Sequence, residues 1–237
     1  HWPENLPASP LRTSVAGLLD KLPAWLPENL SIDLQDLEEP ISIAMEPLRG
    51  NEQMVSERVE FFQKAIAEYL EVEMEYYNPN RNQVKVRRFE PYHLRSADGA
   101  WYVIGYCQLV QEVRTFALDR VRSYRMTGAK FLPPNNFSID EYLRYAWRHE
   151  VGPTVYDVAI RVSPEEVPWF EKKKWHRTQK EQLMRDGSLV LHFQISGLNE
   201  MKRWVLQYGT GIEVLSPPEL RKLVHDEAAA LQMLYAK

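Results

Sequence analysis

Arginines recur on successive extended stretches of the chain, at Arg88 in KVRRF, Arg114 in VRTFAL, Arg120 in LDRV, and Arg122 and Arg125 beyond, and the first three are the candidates for one site. A guanidinium presents a planar fork of donors that fits phosphate or carboxylate bidentately. His93 and Tyr102 lie in the same region and add a second donor and a ring. Brought together, these five residues would form an anion site beside an aromatic surface, the chemistry that holds a nucleotide or a short single strand. Tyr106 is the alternative aromatic. A different arrangement is equally open, with the arginines paired to Glu71, Glu73, Glu75 and Asp119 as structural ion pairs.

Catalytic chemistry has little to work with. The chain lacks HExxH, CxxC, GxSxG and the phosphate-cradling GxxxxGK[ST]. None of the histidines at 1, 93, 149, 176, 192 and 225 has another His or Cys within five positions, so no local metal site or cofactor motif is read. Cys107 sits in an apolar strand pattern, where a thiol is buried and inert. Glu71, Glu73 and Glu75 share one strand face and are expected to be solvated or paired with arginines. Lys172 to Lys174 reads as a charge run ending a short helix. The expectation is a protein that is not an enzyme.

The net charge of −4 hides a segregation. Residues 1–80 carry five Lys/Arg against fifteen Asp/Glu, residues 81–130 ten against four, and residues 131–237 fourteen against fourteen. A basic module inside an acidic chain fits a local anionic partner rather than nonspecific adhesion. One cysteine and no long apolar run fit a reducing cytoplasm and exclude a spanning helix.

Residues 1–50 are proline-rich and read as a linker with a short helix near Val15 to Leu22. A helical period covers Glu52 to Tyr69, with Met54, Val59, Phe62, Ala65, Ile66 and Tyr69 on one face. Five strands follow: Glu71 to Tyr77, Val84 to Phe89, Trp101 to Cys107, Val113 to Leu118 and Val121 to Lys130, with a turn at Asp98-Gly99. They predict a small bent antiparallel sheet or barrel. In the third strand, Trp101, Val103, Gly105 and Cys107 form the core row and Tyr102, Ile104 and Tyr106 the other face. Arg87 and Arg88, being adjacent, should point to opposite faces.

A boundary falls at Pro133 to Asn136, with Ser138/Glu141 as a capping box and Phe137/Tyr142 as a staple. Beyond Gly152-Pro153 the pattern runs strand, helix, strand, strand, helix, strand, which suggests a split-βαβ sandwich with an extra terminal helix. Ser163/Glu166 and Ser216/Glu219 have capping-box spacing with proline at the first helical position. The expected domains are 1–50, 51–132, 133–153 and 154–237.

RRFEPYHL at 87–94, WYVIGYC at 101–107 and RTFALDRV at 114–121 together resemble a WYL-domain transcriptional regulator. DGSLVLHFQISGLNEMKRWVLQYGTGIEVLSPPELRKLV at 186–224 is similar to the family's WYL C-terminal extension, so the resemblance covers about residues 52–235. The signature triplet here is Trp101-Tyr102-Val103, with Val in place of the namesake Leu. The resemblance implies an α+β chain: an Sm-like, SH3-like small β-barrel followed by a ferredoxin-like extension. It also implies an effector-sensing role, with single-stranded DNA as a ligand in some members and Arg88, His93, Tyr102, Arg114 and Arg120 as contacts. Trp101 is carried over as structural. Family members often have glycine at the place of His93 and a basic residue at that of Ala117, so the local geometry is expected to differ. The same resemblance implies a homodimer and duplex-DNA contact through an amino-terminal helix-turn-helix domain, which the proline-rich opening does not itself supply.

Overall fold

The computed structural model describes residues 47–79 and 81–236, which divide into two compact units, one ending at Asn135 and the other starting at Asn136. The helix expected near Val15 to Leu22 lies outside the described residues.

The first unit opens with helix α1 (Glu52–Ala67). Asn51 caps it by accepting the Met54 N–H at 3.1 Å, which satisfies one of the donors a helix start leaves open. Its buried stripe is Val55, Arg58, Val59, Phe62 and Ala65, at helical spacing. This stripe is rotated from the expected one: Met54 packs only at the margin, and Tyr69 stands past the helix with φ of 54° and about half its surface exposed. Arg58 takes an apolar position because its Nη1 donates to the Leu118 carbonyl at 2.7 Å.

Five strands follow: β1 (Leu70–Asn78), β2 (Gln83–Ala97), β3 (Ala100–Cys107), β4 (Glu112–Ala117) and β5 (Val121–Lys130). They form one antiparallel sheet in the order β4-β3-β2-β1-β5. Asp98 and Gly99 turn β2 into β3 with φ of 51° and 68°, the left-handed pair a tight hairpin requires. Val72, Met74, Phe89, Val103 and Cys107 line the face that packs on α1, with Phe62 between them.

The expected small β-barrel is not formed. β4 and β5 are the two free edges of an open sheet, with no ladder between them. β5 pairs only with β1 and β4 only with β3, while the 3-10 turn Leu118–Arg120 redirects the chain between them. Side chains occupy the space where a ladder would close. Phe116 of β4 packs edge-on against Tyr76 of β1 with centroids 4.7 Å apart, and the Ala117 N–H donates to the Tyr76 hydroxyl at 3.4 Å.

The second unit starts with the short helix α2 (Ile139–Tyr142), capped by Ser138, whose hydroxyl accepts the Glu141 N–H at 3.4 Å. Its later elements are β6 (Tyr156–Val162), α3 (Val167–Phe170), β7 (Lys180–Leu183), β8 (Leu189–Ile195), α4 (Leu198–Leu206), β9 (Ile212–Ser216) and α5 (Pro218–Tyr235). The sheet order is β7-β8-β6-β9, antiparallel throughout. Ile160, Leu191, Phe193 and Val214 form one apolar face with Met201, Trp204 and Leu220 of the helices. The two proline-marked capping boxes do not form. Near Ser163 the chain makes turns and the helix begins only at Val167; the Ser216 hydroxyl instead donates to the Asp157 carbonyl at 3.2 Å.

Glu200 anchors the segment that leads into this sheet. Its Oε2 accepts the N–H groups of Arg148, His149 and Glu150 at 2.9, 3.2 and 3.1 Å. Glu150 in turn accepts the Glu200 N–H at 2.9 Å, satisfying a donor at the start of α4.

Candidate nucleic-acid interface

Antiparallel register fixes which side chains share a face, because directly opposite residues point the same way. On the face of the first sheet turned away from α1, three transverse rows cross β2, β1 and β5. Val84 stands opposite Tyr77; Val86 lies opposite Glu75, which faces Ser123; and Arg88 lies opposite Glu73, which faces Arg125.

The last row is the most charged. Arg125 Nη2 sits 2.6 Å from Glu73 Oε1, while Arg88 Nε is 3.9 Å from Glu73 Oε2. Two guanidiniums therefore share one carboxylate. Their side chains are 62% and 64% exposed, so water and salt weaken both pairings. At the end of the same face, the Arg122 guanidinium lies over the Tyr77 ring at 5.0 Å. Val84 and Val86 are exposed between these groups at 40% and 56%. The remaining carboxylates are engaged locally: Glu75 accepts from Ser123, and Glu71 accepts from Gln108 and Thr127.

The five residues singled out in the sequence are distributed over this unit. Arg88 lies on the outer face just described. His93 sits past a β-bulge in β2, opposite Ile104, and Tyr102 lies opposite Ala117. Tyr102 is buried at 3% exposure, and its hydroxyl receives a hydrogen bond from Arg49, whose Nη2 also holds Asp119 at 2.7 Å. Its ring is a packed wall rather than an open stacking surface. Arg114 lies opposite Gly105 in the row of the core residues, at the sheet edge, with Nη2 2.6 Å from Glu112. Arg120 is in the 3-10 turn and makes no hydrogen bond or ion pair among the described residues. Arg88 and Arg114 thus occupy opposite faces.

The outer face is completed by Arg122 and Arg125, which belong to the same recurrence of arginines but not to the five-residue site read from the sequence, and by Tyr77. The alternation Glu71, Glu73, Glu75 carries on to Tyr77, which was the available signal. A bulge between Glu75 and Tyr76 hides the matching phase of β5. Arg87 behaves differently from its neighbour. It lies on the inner face with Nη1 3.4 Å from the Cys107 sulfur and its guanidinium 5.1 Å from the Phe116 ring.

Among the described residues no group of three His, Cys, Asp or Glu gathers as a metal centre, and no helix is long and apolar enough to cross a membrane.

Residues 58–126 match the model of the WYL domain and residues 154–232 that of the WCX domain. No curated protein matches the chain. Among solved structures, proteasome accessory factor B/C (PafBC) of Arthrobacter aurescens is similar at 21% identity and a TM-score of 0.38, over 81% of this chain and 29% of that one. A CRISPR Cas-related protein is similar at 13% identity and a TM-score of 0.48, over 78% of this chain and 52% of that one. The chain therefore spans about a third and about half of the two proteins. The two domain matches cover the first sheet with most of α1 and the second sheet with its helices: the chain is a WYL-domain-containing protein in which a WCX domain follows.

Proposed function

We propose that this chain is the non-enzymatic, ligand-sensing module of a transcriptional regulator, and that its effector is a short single-stranded DNA held on the outer face of the first sheet. One observation carries the reading: Arg88 and Arg125 straddle the single carboxylate of Glu73, beside a ring already capped by Arg122. Phosphates bridge the underused guanidiniums, and bases lie against Tyr77, Val84 and Val86. His93 and Arg120 keep the ligand roles that the WYL resemblance implies, whereas Arg114, on the opposite face, and Tyr102, buried beside Arg49, take no direct contact in this reading. In this reading effector binding changes duplex-DNA contact by a helix-turn-helix domain of the same regulator, in a homodimer. It does so only to the extent that the two arrangements of the regulator bind the effector unequally.

The test is fluorescence anisotropy with a labelled short single-stranded oligonucleotide. Arg88→Ala/Arg125→Ala is expected to weaken binding at least about tenfold, since each lost charge-assisted contact is worth about 1.5–3 kcal/mol. Both side chains are surface-exposed, so stability should change by less than about 1 kcal/mol. Single variants at His93 and Arg120 apportion the other contacts, and Arg114→Ala, on the opposite face, is expected to leave binding unchanged. No oligonucleotide bound by the wild type, or equal binding by the double variant, would overturn the assignment.

A further inference from the structure

The second sheet has one covered face and one bare face. Most of its apolar residues point to the helices, and the opposite face, where Val190 lies opposite Arg161, carries a transverse row of Lys180, His192, Ala159 and Ser216, each opposite the next across β7, β8, β6 and β9. The adjacent row sets Gln194 opposite Asp157. Ala159, the smallest of these residues, forms the floor of a depression of about 840 Å³ that all of them line. That volume lies in the range of small-molecule sites.

The lining carries Lys180, Arg177 and Arg144 against a single carboxylate, Asp157. Lys180 and His192 face one another across the β7–β8 ladder, and neither makes a hydrogen bond or ion pair among the described residues. Two nitrogen donors stand directly opposite each other with no protein acceptor between them, a disposition that an anion can bridge. Arg177 also lines the depression but stands beside Thr178, whose hydroxyl bonds Gln194, and it is turned to Asp140, with Nη1 donating to its carbonyl at 3.3 Å and Nη2 3.8 Å from its carboxylate. Asp157 is the only carboxylate in the lining, and its Oδ1 already accepts the Gln194 amide at 3.2 Å. The row of Lys180 and His192 therefore offers nitrogen donors and the Ser216 hydroxyl, and the adjacent row offers an amide and a carboxylate.

We propose that this depression is a second ligand site, specific for a small phosphate monoester whose organic part carries hydroxyl or base-edge hydrogen-bonding groups. The phosphate lies between Lys180 and His192, where Lys180 supplies a charge-assisted bond. The organic part lies over Ala159 and is read by Asp157 and Gln194. A nucleoside monophosphate and a sugar phosphate share this chemistry. The site lies wholly within the second unit and is independent of the single-strand face on the first.

Isothermal titration of the full chain with AMP, ribose 5-phosphate and inorganic phosphate tests it. Saturable binding of at least one monoester is expected at millimolar concentration or below, tighter than inorganic phosphate by at least about tenfold; AMP against ribose 5-phosphate identifies the source. Lys180→Ala/His192→Ala should weaken that binding about tenfold or more, and Ala159→Trp should abolish it by filling the floor. Both changes lie on the bare face, and an unchanged thermal midpoint verifies folding. The same variants should leave oligonucleotide binding by the first unit intact, so the two proposals fail separately. No monoester bound, equal affinity for inorganic phosphate, or binding insensitive to Ala159→Trp in the folded protein would overturn the site.

Discussion

Replacing Gly105 with valine is expected to unfold the first unit or destabilise it by about 3 kcal/mol or more, the upper end of what overpacking costs. A Cβ at this position would fall 2.0 Å from the Glu90 carbonyl oxygen and 2.8 Å from the Phe89 ring. Neither obstacle is a flexible side-chain end. The first is backbone of the neighbouring strand and the second a ring with no exposed surface. Relief requires β2 and β3 to separate beside the bulge at Pro91, where the ladder is already irregular. Chemical denaturation followed by tryptophan fluorescence measures this through Trp101, and the Gly105→Ala variant should show a smaller loss of the same kind. A wild-type midpoint in both variants would contradict the close approach described here.

The second large effect is expected at Glu200. Glu200→Ala strands three backbone N–H groups and should cost about 3–5 kcal/mol, as breaking a buried charge pairing does. Burial alone would push the Glu200 carboxyl up. His149, with Nδ1 2.9 Å from Oε1, and the N–H groups of Glu150 and Arg148 outweigh it and hold the carboxyl below its ordinary value of 4.5. A carboxyl more acidic in the folded than in the unfolded chain stabilises the fold above the unfolded value, and that contribution disappears as pH falls through the folded value. The second unit should therefore keep this stabilisation at neutral pH and lose it only in the acid range below 4.5. Glu200→Gln should be less stable at neutral pH and should lack this acid-dependent part of the loss. Parallel urea titrations across pH test both statements, and an identical acid slope in the glutamine variant would contradict the role of the ionised carboxyl.

These two positions also show what the sequence could and could not reveal. Period-two alternation placed Gly105 in the core row of β3, and the register confirms that row. That Glu90 would approach so closely depends on a bulge, which alternation alone does not display. Pro91 reads locally as the end of a strand, because proline cannot donate to a ladder; the strand nevertheless runs on to Ala97, with Pro91 opposite Gly105. Glu200 has no local signal in the sequence, since its partners lie some fifty positions earlier. Capping-box spacing at Ser216 was misleading for a related reason: its hydroxyl had a distant acceptor in Asp157.

The candidate interface was legible in part. Adjacent Arg87 and Arg88 had to diverge, and they do, one toward Phe116 and one toward Glu73. Strand phase alone could not put Arg114 on the other face from Arg88, because that requires knowing the register through three strands. Tyr102 carried no sign of burial either; Arg49, more than fifty positions away, supplies the donor that lets its hydroxyl remain inside. Closure into a barrel was inferred from the resemblance. In the open sheet Tyr76 of β1 packs on Phe116 of β4 instead.

The salt dependence of single-strand binding tests the central claim most directly. Each phosphate neutralised on a single strand contributes a slope of about −0.7 to log affinity against log salt, so Arg88 and Arg125 engaging one each would give about −1.4. The Arg88→Ala/Arg125→Ala protein should bind more weakly and with a flatter dependence. A wild-type chain that binds no short strand at low salt, or whose slope is unchanged after both arginines are removed, would contradict the assignment of the effector to this face.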